Sequence, residues 1–138
     1  MSVVSVQKSV DSRGDNHVID ITSEVASSVA EAGIETGVAT VFVTGSTAGV
    51  TTVEFEPGLV KDLDAAFNRL MPRELEYRHH ETWGDDNGHS HVRASLLGPS
   101  LTVPFEHGQL VLGTWQQIVL IDFDTRPRSR NYMIQIMG

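Results

Sequence analysis

The sequence predicts an α+β domain in which antiparallel strands form a sheet or sandwich and two helices pack on it. Two segments, 20–32 and 57–70, carry apolar residues at helical spacing. Closely spaced β-rich segments separated by turn residues follow residue 90, which is typical of hairpins in an antiparallel sheet. The length of 138 residues, without a break in composition, indicates a single domain over residues 1–138.

The strands of the first half are predicted from apolar patterning. Residues 3–10 alternate apolar and polar side chains, which predicts a half-buried strand that ends at a turn over 11–14. The β-branched run 38–44 is almost continuously apolar, so we expect a central strand buried on both faces. Residues 51–55 predict a further strand.

Both helices carry recognisable start and stop signals. The helix over 20–32 has Asp20 or Thr22 as its N-cap and Gly33 at its end. The helix over 57–70 begins on a proline, which the first helical position tolerates, and stops before a second proline.

The second half of the chain begins with a polar, glycine-punctuated segment, 77–90, that holds three of the six histidines and predicts a loop suited to chemistry. The segments after it predict a β-meander with hairpins. Its strands are expected at 91–97, 100–105, 109–113, 115–123 and 131–137.

Composition excludes several classes of function. The chain has no cysteine, which excludes disulfides, thiolate-ligated zinc, iron–sulfur clusters and a cysteine nucleophile. The net charge of −8 repels polyanions, so we expect no nucleic-acid partner and no binding to an anionic membrane. No targeting or membrane-spanning segment is evident, and a soluble cytoplasmic protein is expected.

Histidines give the sharpest local signal. If His91 opens a strand, His89 and His91 lie on one face about 6 to 7 Å apart, close enough to share a metal ion. A return of the loop brings His79 to the same face, and three neutral imidazoles with an open position suit zinc or a similar ion. The alternative is that these are ordinary histidines of a polar loop.

Carboxylates offer a second route to a divalent metal. Asp85 and Asp86 are suited to Mg²⁺, although one of two adjacent residues is better placed to cap the loop or orient a histidine. Glu54 lies at the end of the predicted strand 51–55 and is a candidate general base or metal ligand, its alternative being a solvated glutamate at a strand end.

Two segments are candidates for binding phosphate. The small residues and hydroxyls of 45–49, which include Ser46 and Thr47, allow phosphate to approach backbone N–H groups, although the segment is not a Walker loop. Arg126, Arg128 and Arg130 form the only dense cation cluster and are either a phosphate clamp or a solvated turn.

Longer runs resemble a known family. The run 84–116, preceded by Tyr77-x-His79 and followed by Arg128-Ser129-Arg130, closely resembles the YjbQ family, whose members are described as secondary thiamine-phosphate synthases. The most specific pieces are the HVRASLLG run at 91–98 and the LGTWQ run at 112–116, and the resemblance extends over nearly the whole chain.

The resemblance carries over residue by residue. Tyr77 and His79 match the family's Tyr-x-His, and Asp85 and Asp86 match its acidic loop. His91 matches its histidine before Leu-Leu-Gly, and Glu54 matches its glutamate of an Asn-Glu pair. Candidate substrate contacts are Ser46, Thr47, Trp115, Gln116, Arg128 and Arg130. The chain departs from the family where Val53 replaces an asparagine and Gly45 replaces a histidine that many members carry, which puts substrate contacts in question.

The resemblance implies an activity and an assembly. The implied reaction joins a pyrimidine diphosphate to a thiazole phosphate with loss of pyrophosphate, assisted by a divalent metal, zinc or magnesium. Because family members are typically trimers, a homotrimer with sites at or near subunit boundaries is expected. The alternative is a non-catalytic trimeric protein that binds a metal or metabolite in the same pocket.

Overall fold

The computed structural model describes residues 1–138 as two antiparallel sheets and four helices, so the predicted α+β class is confirmed. The strands are β1 (Val3–Ser12), β2 (His17–Asp20), β3 (Thr36–Thr44), β4 (Ala48–Val53), β5 (Ser100–Glu106), β6 (Gln109–Leu110), β7 (Gln117–Asp122) and β8 (Arg128–Met137). The helices are α1 (Thr22–Glu31), α2 (Pro57–Leu70), α3 (Arg78–Trp83) and α4 (Gly88–Leu97).

The larger sheet has the order β1-β8-β3-β5-β6, and the smaller has the order β2-β7-β4. In the larger sheet Val6 pairs with Ile134 and Ile134 with Val41, so alternate side chains of the three strands point together into the core. The smaller sheet contributes Val50, Ile118 and Leu120 to that core. The opposite side of the smaller sheet, with Val119, Ile121 and Phe123, forms a second, smaller cluster.

Both predicted helices form, and their ends follow local chemistry. Asp20 accepts from the backbone N–H of Thr22 at 2.9 Å, and Gly33 follows α1 with a φ of 68°. The α2 helix begins at Pro57, where the Glu56 carboxylate accepts from two free N–H groups of the first turn. Its inner face contacts the smaller cluster through Phe67, whose ring lies 4.8 Å edge-on from that of Phe123.

Strand 38–44 is buried on one face only, contrary to the prediction for a central strand. The side chains of Ala39, Val41 and Val43 are buried, while Val38 and Phe42 are exposed. The larger sheet has its helix and the other sheet on one side, and no element of this chain covers the other side.

The predicted strand at 91–97 is wrong, because these residues belong to α4. Its buried positions include His89, Ser90, Arg93 and Ala94, which follow a helical period rather than alternation. The helix packs closely on β4, since a Cβ at Gly49 would lie 2.7 Å from the Leu97 side chain. Helix α3 likewise occupies part of the predicted loop.

The predicted meander is also wrong. Only β5 and β6 form a hairpin there, and β6 ends at Leu110 rather than at 113. Strands β7 and β8 belong to different sheets, where β7 pairs with β2 and β4 and β8 pairs with β1 and β3. The short strand β2 was not predicted, and none of the helices is both long and apolar enough to cross a bilayer.

Candidate functional site

A polar cleft of about 350 Å³ lies between the α3–α4 connection and the β7–β8 connection. One wall carries the acidic pair that the sequence predicted, and the other carries Arg128. The residues that line it are Asp85, Asp86, Asn87, Asp124, Thr125, Arg126, Pro127 and Arg128.

The two helices beside the cleft are joined by a tight connection. Gly84 ends α3 in the left-handed region, with a φ of 68°, and Asn87 precedes α4. A Cβ at Gly88 would lie 2.4 Å from the Cβ of Tyr77, so only glycine lets the start of α4 approach the start of α3 this closely. Tyr77 is anchored in turn because its hydroxyl donates to the Pro72 carbonyl at 2.7 Å.

His79 and His91 meet across this junction. Their ring centroids are 4.4 Å apart, and His79 Nε2 lies 3.4 Å from Asp85 Oδ1. Asp85 Oδ1 is buried and has no hydrogen-bond partner, as is also true of Asn87 Oδ1. His79 therefore lies beside a buried carboxylate oxygen that accepts no hydrogen bond, and His91 lies against His79.

The imidazole of His91 is kept neutral by its surroundings. Burial lowers the pKa of His91 below the ordinary 6.5, and the neighbouring His79 lowers it further, against an opposing effect from Asp124 and Asp85. A neutral ring with a free nitrogen lone pair is the form that binds a metal ion or accepts a proton.

His89 does not join this pair. Residues two positions apart in a helix differ in direction by about 200°, so His89 and His91 project from different sides of α4. The prediction that strand alternation places them on one face is therefore wrong. His89 is 2% exposed and lines a separate polar cavity beside Arg93, with its Nδ1 unpartnered. No three His, Asp or Glu side chains of the chain are arranged together to hold a metal ion.

Arg130 belongs to a buried ion pair. Its Nε and Nη2 donate to the two carboxylate oxygens of Asp122, each at 2.8 Å, and Nη2 also donates to Thr47 Oγ1 at 2.5 Å. Arg130 is 4% exposed, so the solvated-turn reading does not hold for it. Gly45 leaves room for this guanidinium, since a Cβ there would lie 2.7 Å from Nη1.

Arg128 differs from Arg130 because it reaches solvent. It donates to Asp124 Oδ2 at 2.6 Å while half of its side chain stays exposed at the cleft. Asp124 also accepts from Thr47 Oγ1 at 3.1 Å and from Asn87 Nδ2 at 3.4 Å. The Asp124 carboxylate therefore connects three parts of the chain, namely segment 45–49, the start of α4, and β8.

The two aspartates at the end of β7 are ionised. Burial by itself raises the pKa of Asp122, but hydrogen bonds from Arg130, Ser12 and a backbone N–H outweigh it and hold the pKa below its usual value. Asp124 shows the same balance, with burial opposed by the Thr125 N–H and Arg128. Neither aspartate was predicted as a site residue, although an apolar strand that ends in Asp-Phe-Asp before an arginine cluster is a signal in the sequence.

The other predicted site residues do not meet at this cleft within one chain. Glu54 and Gln116 lie beyond the Val53–Gln117 end of the β4–β7 ladder, whereas Thr47 lies beyond its Ala48–Asp122 end. Six residues of strand separate the two ends by about 20 Å. Glu54 and Ser46 are exposed, and Trp115 is 71% exposed rather than part of the core.

These features define a small α+β protein in which a polar cleft lined by Asp85 and Arg128 lies next to a pair of imidazoles, His79 and His91. The chain belongs to the YjbQ family, because the family model described as "UPF0047 protein YjbQ-like" matches residues 6–138. The resemblance read from the sequence is therefore confirmed.

Known relatives agree with this placement. A UPF0047 protein from Archaeoglobus fulgidus is 35% identical over 120 residues, which is 87% of this chain and 90% of the relative. The UPF0047 protein YugU from Bacillus subtilis is 38% identical over 124 residues, covering 89% and 91% of the two chains.

Solved structures share the fold. A hypothetical protein from Aeropyrum pernix superposes with a TM-score of 0.90 at 28% identity and covers 98% of each chain. A YbjQ-like protein of unknown function from Sulfolobus solfataricus gives a TM-score of 0.88 at 29% identity over 99% of each chain.

The free energy of unfolding should fall as the pH is lowered through the range in which the histidines of the unfolded chain take up protons. Burial is the first cause that lowers the pKa of His17, His89 and His91 in the folded chain. Below an unfolded pKa of about 6.5 the unfolded chain therefore binds more protons, and the free energy of unfolding falls as pH falls.

Urea unfolding between pH 7.5 and 5.5 measures this effect. His89→Gln removes one of the three imidazoles with a lowered pKa and should give a shallower loss over the same range. A free energy of unfolding that stays constant over this range would contradict the neutral, buried state of these rings.

Proposed function

We propose that the cleft is the active site of a cytoplasmic, metal-assisted transferase for phosphorylated small molecules. The reaction that the family resemblance implies joins a pyrimidine diphosphate to a thiazole phosphate. The observation that carries the proposal is the His79–His91 pair, which lies beside Asp85 and therefore next to the cleft that Asp85 and the half-exposed Arg128 line.

The ligand atoms available at this site suit a divalent cation. His79, His91 and Asp85 supply two imidazoles and one oxygen without a donor, whereas His89 is directed elsewhere. Since no three ligands are preassembled, we expect the ion to bind together with phosphate oxygens, as Mg²⁺ commonly does. When bound, such an ion supplies positive charge that stabilises the leaving pyrophosphate.

Arg128 is the residue placed to hold the phosphate groups. One Nη donates to Asp124, the other N–H groups make no hydrogen bond within the chain, and half of the side chain is exposed. Arg130, by contrast, directs its donors at Asp122 and Thr47, so its role is to fix β8 and segment 45–49 around the cleft. Asp124 orients Arg128 through a charge-assisted hydrogen bond.

The reaction itself needs little covalent help. The bond between the pyrimidine methylene carbon and the diphosphate oxygen breaks, and pyrophosphate leaves with the electron pair. The thiazole nitrogen forms the new bond to that carbon. What the chain contributes is position and charge, since both substrates are anions in a protein of net charge −8.

We propose further that three copies assemble, each covering part of its neighbour. The outer face of the larger sheet has no Asp, Glu, Lys or Arg along its central rows, although 20% of the chain is charged. These rows carry Val3, Ser5, Gln7, Ser9, Val38, Thr40, Phe42, Thr44, Ser100, Thr102, Pro104, Asn131, Met133, Gln135 and Met137. Within one chain, Glu54, Trp115 and Gln116 lie away from the cleft. In the assembly they contact the cleft of a neighbouring copy.

His91→Ala tests the activity. With the two phosphorylated thiamine precursors and Mg²⁺ or Zn²⁺, thiamine phosphate should form with the wild-type protein, measured by chromatography. The rate should fall roughly 100-fold or more in the variant because a metal ligand is lost. His107→Ala is the matched control, since His107 is exposed and pairs with Glu35 away from the cleft.

Binding measurements separate the two proposed classes. If the precursors bind to the wild-type chain but no product forms with either metal, the protein is the non-catalytic binder. If neither metal nor precursors bind, or if His91→Ala equals the wild type, the cleft is not the site. Metal affinity should rise when pyrophosphate is added, because the chain alone supplies too few ligands.

A further inference from the structure

The largest cavity of the molecule is separate from the cleft. It holds about 800 Å³ and lies between the β1–β2 turn and the start of α2. That volume is within the range of small-molecule sites, about 300 to 1,000 Å³. Its apolar side chains are Val18, Phe55 and Val60, and its cationic side chains are Arg13 and Lys61.

The β1–β2 turn that forms one wall is firmly seated. Gly14 has a φ of 75°, and a Cβ there would lie 2.6 Å from the carbonyl oxygens of both Asp124 and Arg126. The Asp15 N–H donates to the Asp124 carbonyl at 2.7 Å. The turn therefore packs against the back of the β7–β8 connection, with the cavity on its other side.

The two cationic side chains of this cavity are unpaired. Arg13 and Lys61 line it, and neither side chain makes an ion pair or hydrogen bond within the chain. His17 adds a neutral donor, because its Nδ1 accepts from the Arg13 backbone N–H at 3.0 Å and the ring proton is then on Nε2. Burial and the Arg13 charge lower the pKa of His17, which keeps the ring neutral.

The carboxylates of the cavity are, in contrast, already engaged. Asp15 pairs with Arg73 at 3.4 Å, and Asp64 accepts from Asn16 at 2.8 Å and from Asn68 at 3.3 Å. Glu56 accepts from the N–H groups of Gly58 and Leu59 at 2.7 and 2.6 Å. The acceptors are thus used internally, whereas the charged donors lack partners.

An apolar wall stands beside these donors. Phe55 is an aromatic residue that is 44% exposed, and it lies between two acidic residues in the chain, Glu54 and Glu56. Its ring is available to stack on a planar group, and Val60 and Pro57 lie along the same cavity.

We propose that this cavity is a second ligand site, which takes a small molecule with an anionic group on a planar, apolar ring. The anion binds Arg13 and Lys61, and the ring packs on Phe55. This site goes beyond the proposed transferase, because it shares no lining residue with the cleft.

Phenyl phosphate is a probe that carries both features, and two-dimensional amide NMR on the full chain maps where it binds. Benzoate and inorganic phosphate, titrated separately, distinguish a carboxylate from a phosphate ligand and show what the ring contributes. We expect shifts around residues 13–18 and 55–61 with phenyl phosphate, and weaker binding of inorganic phosphate.

Variants decide which side chains bind. Arg13→Gln and Lys61→Gln should each weaken phenyl phosphate roughly 10-fold, the loss expected for a hydrogen bond between charged groups. Phe55→Ala should weaken phenyl phosphate but not inorganic phosphate. Arg69→Gln is the matched control, because it removes one positive charge from an exposed residue of the same helix, α2, outside the cavity.

Arg128→Gln separates this site from the cleft, since it should leave phenyl phosphate binding in the cavity unchanged. Shifts confined to residues 85–87 and 124–128, or variants in the cavity that bind as tightly as Arg69→Gln, would overturn the proposal. So would the absence of saturable shifts with all three probes.

Discussion

Replacing Arg130 with alanine should lower the free energy of unfolding by about 3 to 5 kcal/mol, the range for breaking a buried ion pair by removing one partner. Asp122 is fully buried, and both of its oxygens accept from Arg130. Without the guanidinium, the carboxylate keeps only the Ser12 hydroxyl and one backbone N–H as donors. Urea denaturation followed by circular dichroism measures the loss.

Arg128→Ala is the matched control for Arg130→Ala. It is two residues away on β8 and also pairs with an aspartate, but half of its side chain is exposed. Its loss should cost less than the loss of Arg130, because half of its side chain is already in water and Asp124 keeps donors from Thr47, Asn87 and the Thr125 N–H. Adding Asp122→Asn to Arg130→Ala should recover part of the stability, because the uncompensated charge is then gone. Equal losses in the two arginine variants would show that burial does not set the strength of these pairs.

The sequence predicted those elements whose signals are local. Helix α2 has a proline at its start and an apolar stripe, and β1 alternates over its length, so each is specified by neighbours in the chain. The burial of β3 depends instead on what lies over each face of the larger sheet. The packing of the two sheets decides this, and residues 38–44 alone do not specify it. Because only one face of the larger sheet is covered, β3 is buried on one face only.

Helix α4 shows where alternation misleads. The segment 91–97 places polar and apolar residues in an order that also suits a strand, and two of its apolar residues, Val92 and Leu96, face outward. The decisive contact is distant in sequence, since Gly49 on β4 gives the helix room to approach. Because the assignment of helix or strand decides which side chains share a face, this error also misplaced His89.

Part of the candidate site followed from the family resemblance, and part required the structure. His79, His91 and Asp85 match the family's motif, and the structure brings them side by side. Asp122 and Asp124 could not be ranked from sequence, because their importance comes from burial and from donors on three separate segments. Arg130 and Arg128 share one face of β8, and their contrast is set by their places along the strand: Arg128 is its first residue, beside the cleft, whereas Arg130 lies further in, against Asp122 and Thr47.

Gln135→Lys should convert the proposed trimer into monomers. Gln135 lies on β8 in the middle of the uncharged outer face, between Ser5 on β1 and Thr40 on β3. In the isolated chain it is exposed and makes only a 3.3 Å hydrogen bond to Ser5, so lysine is tolerated in the monomer. In an interface the same ammonium loses water, and the rows around Gln135 in its own sheet hold no carboxylate to pair with it.

The expected shift in assembly is large because each of three copies carries the lysine. A cost of about 2 kcal/mol per copy lowers the association constant roughly 10,000-fold or more, and sedimentation at micromolar concentration should then return the 15.1 kDa chain. Ser27→Lys, which adds the same charge to the exposed side of α1, should leave the wild-type mass unchanged. A wild-type chain that sediments as a monomer would remove the assembly proposal. A trimer that survives Gln135→Lys would place the interface on another surface, and the uncharged face would then need a different explanation.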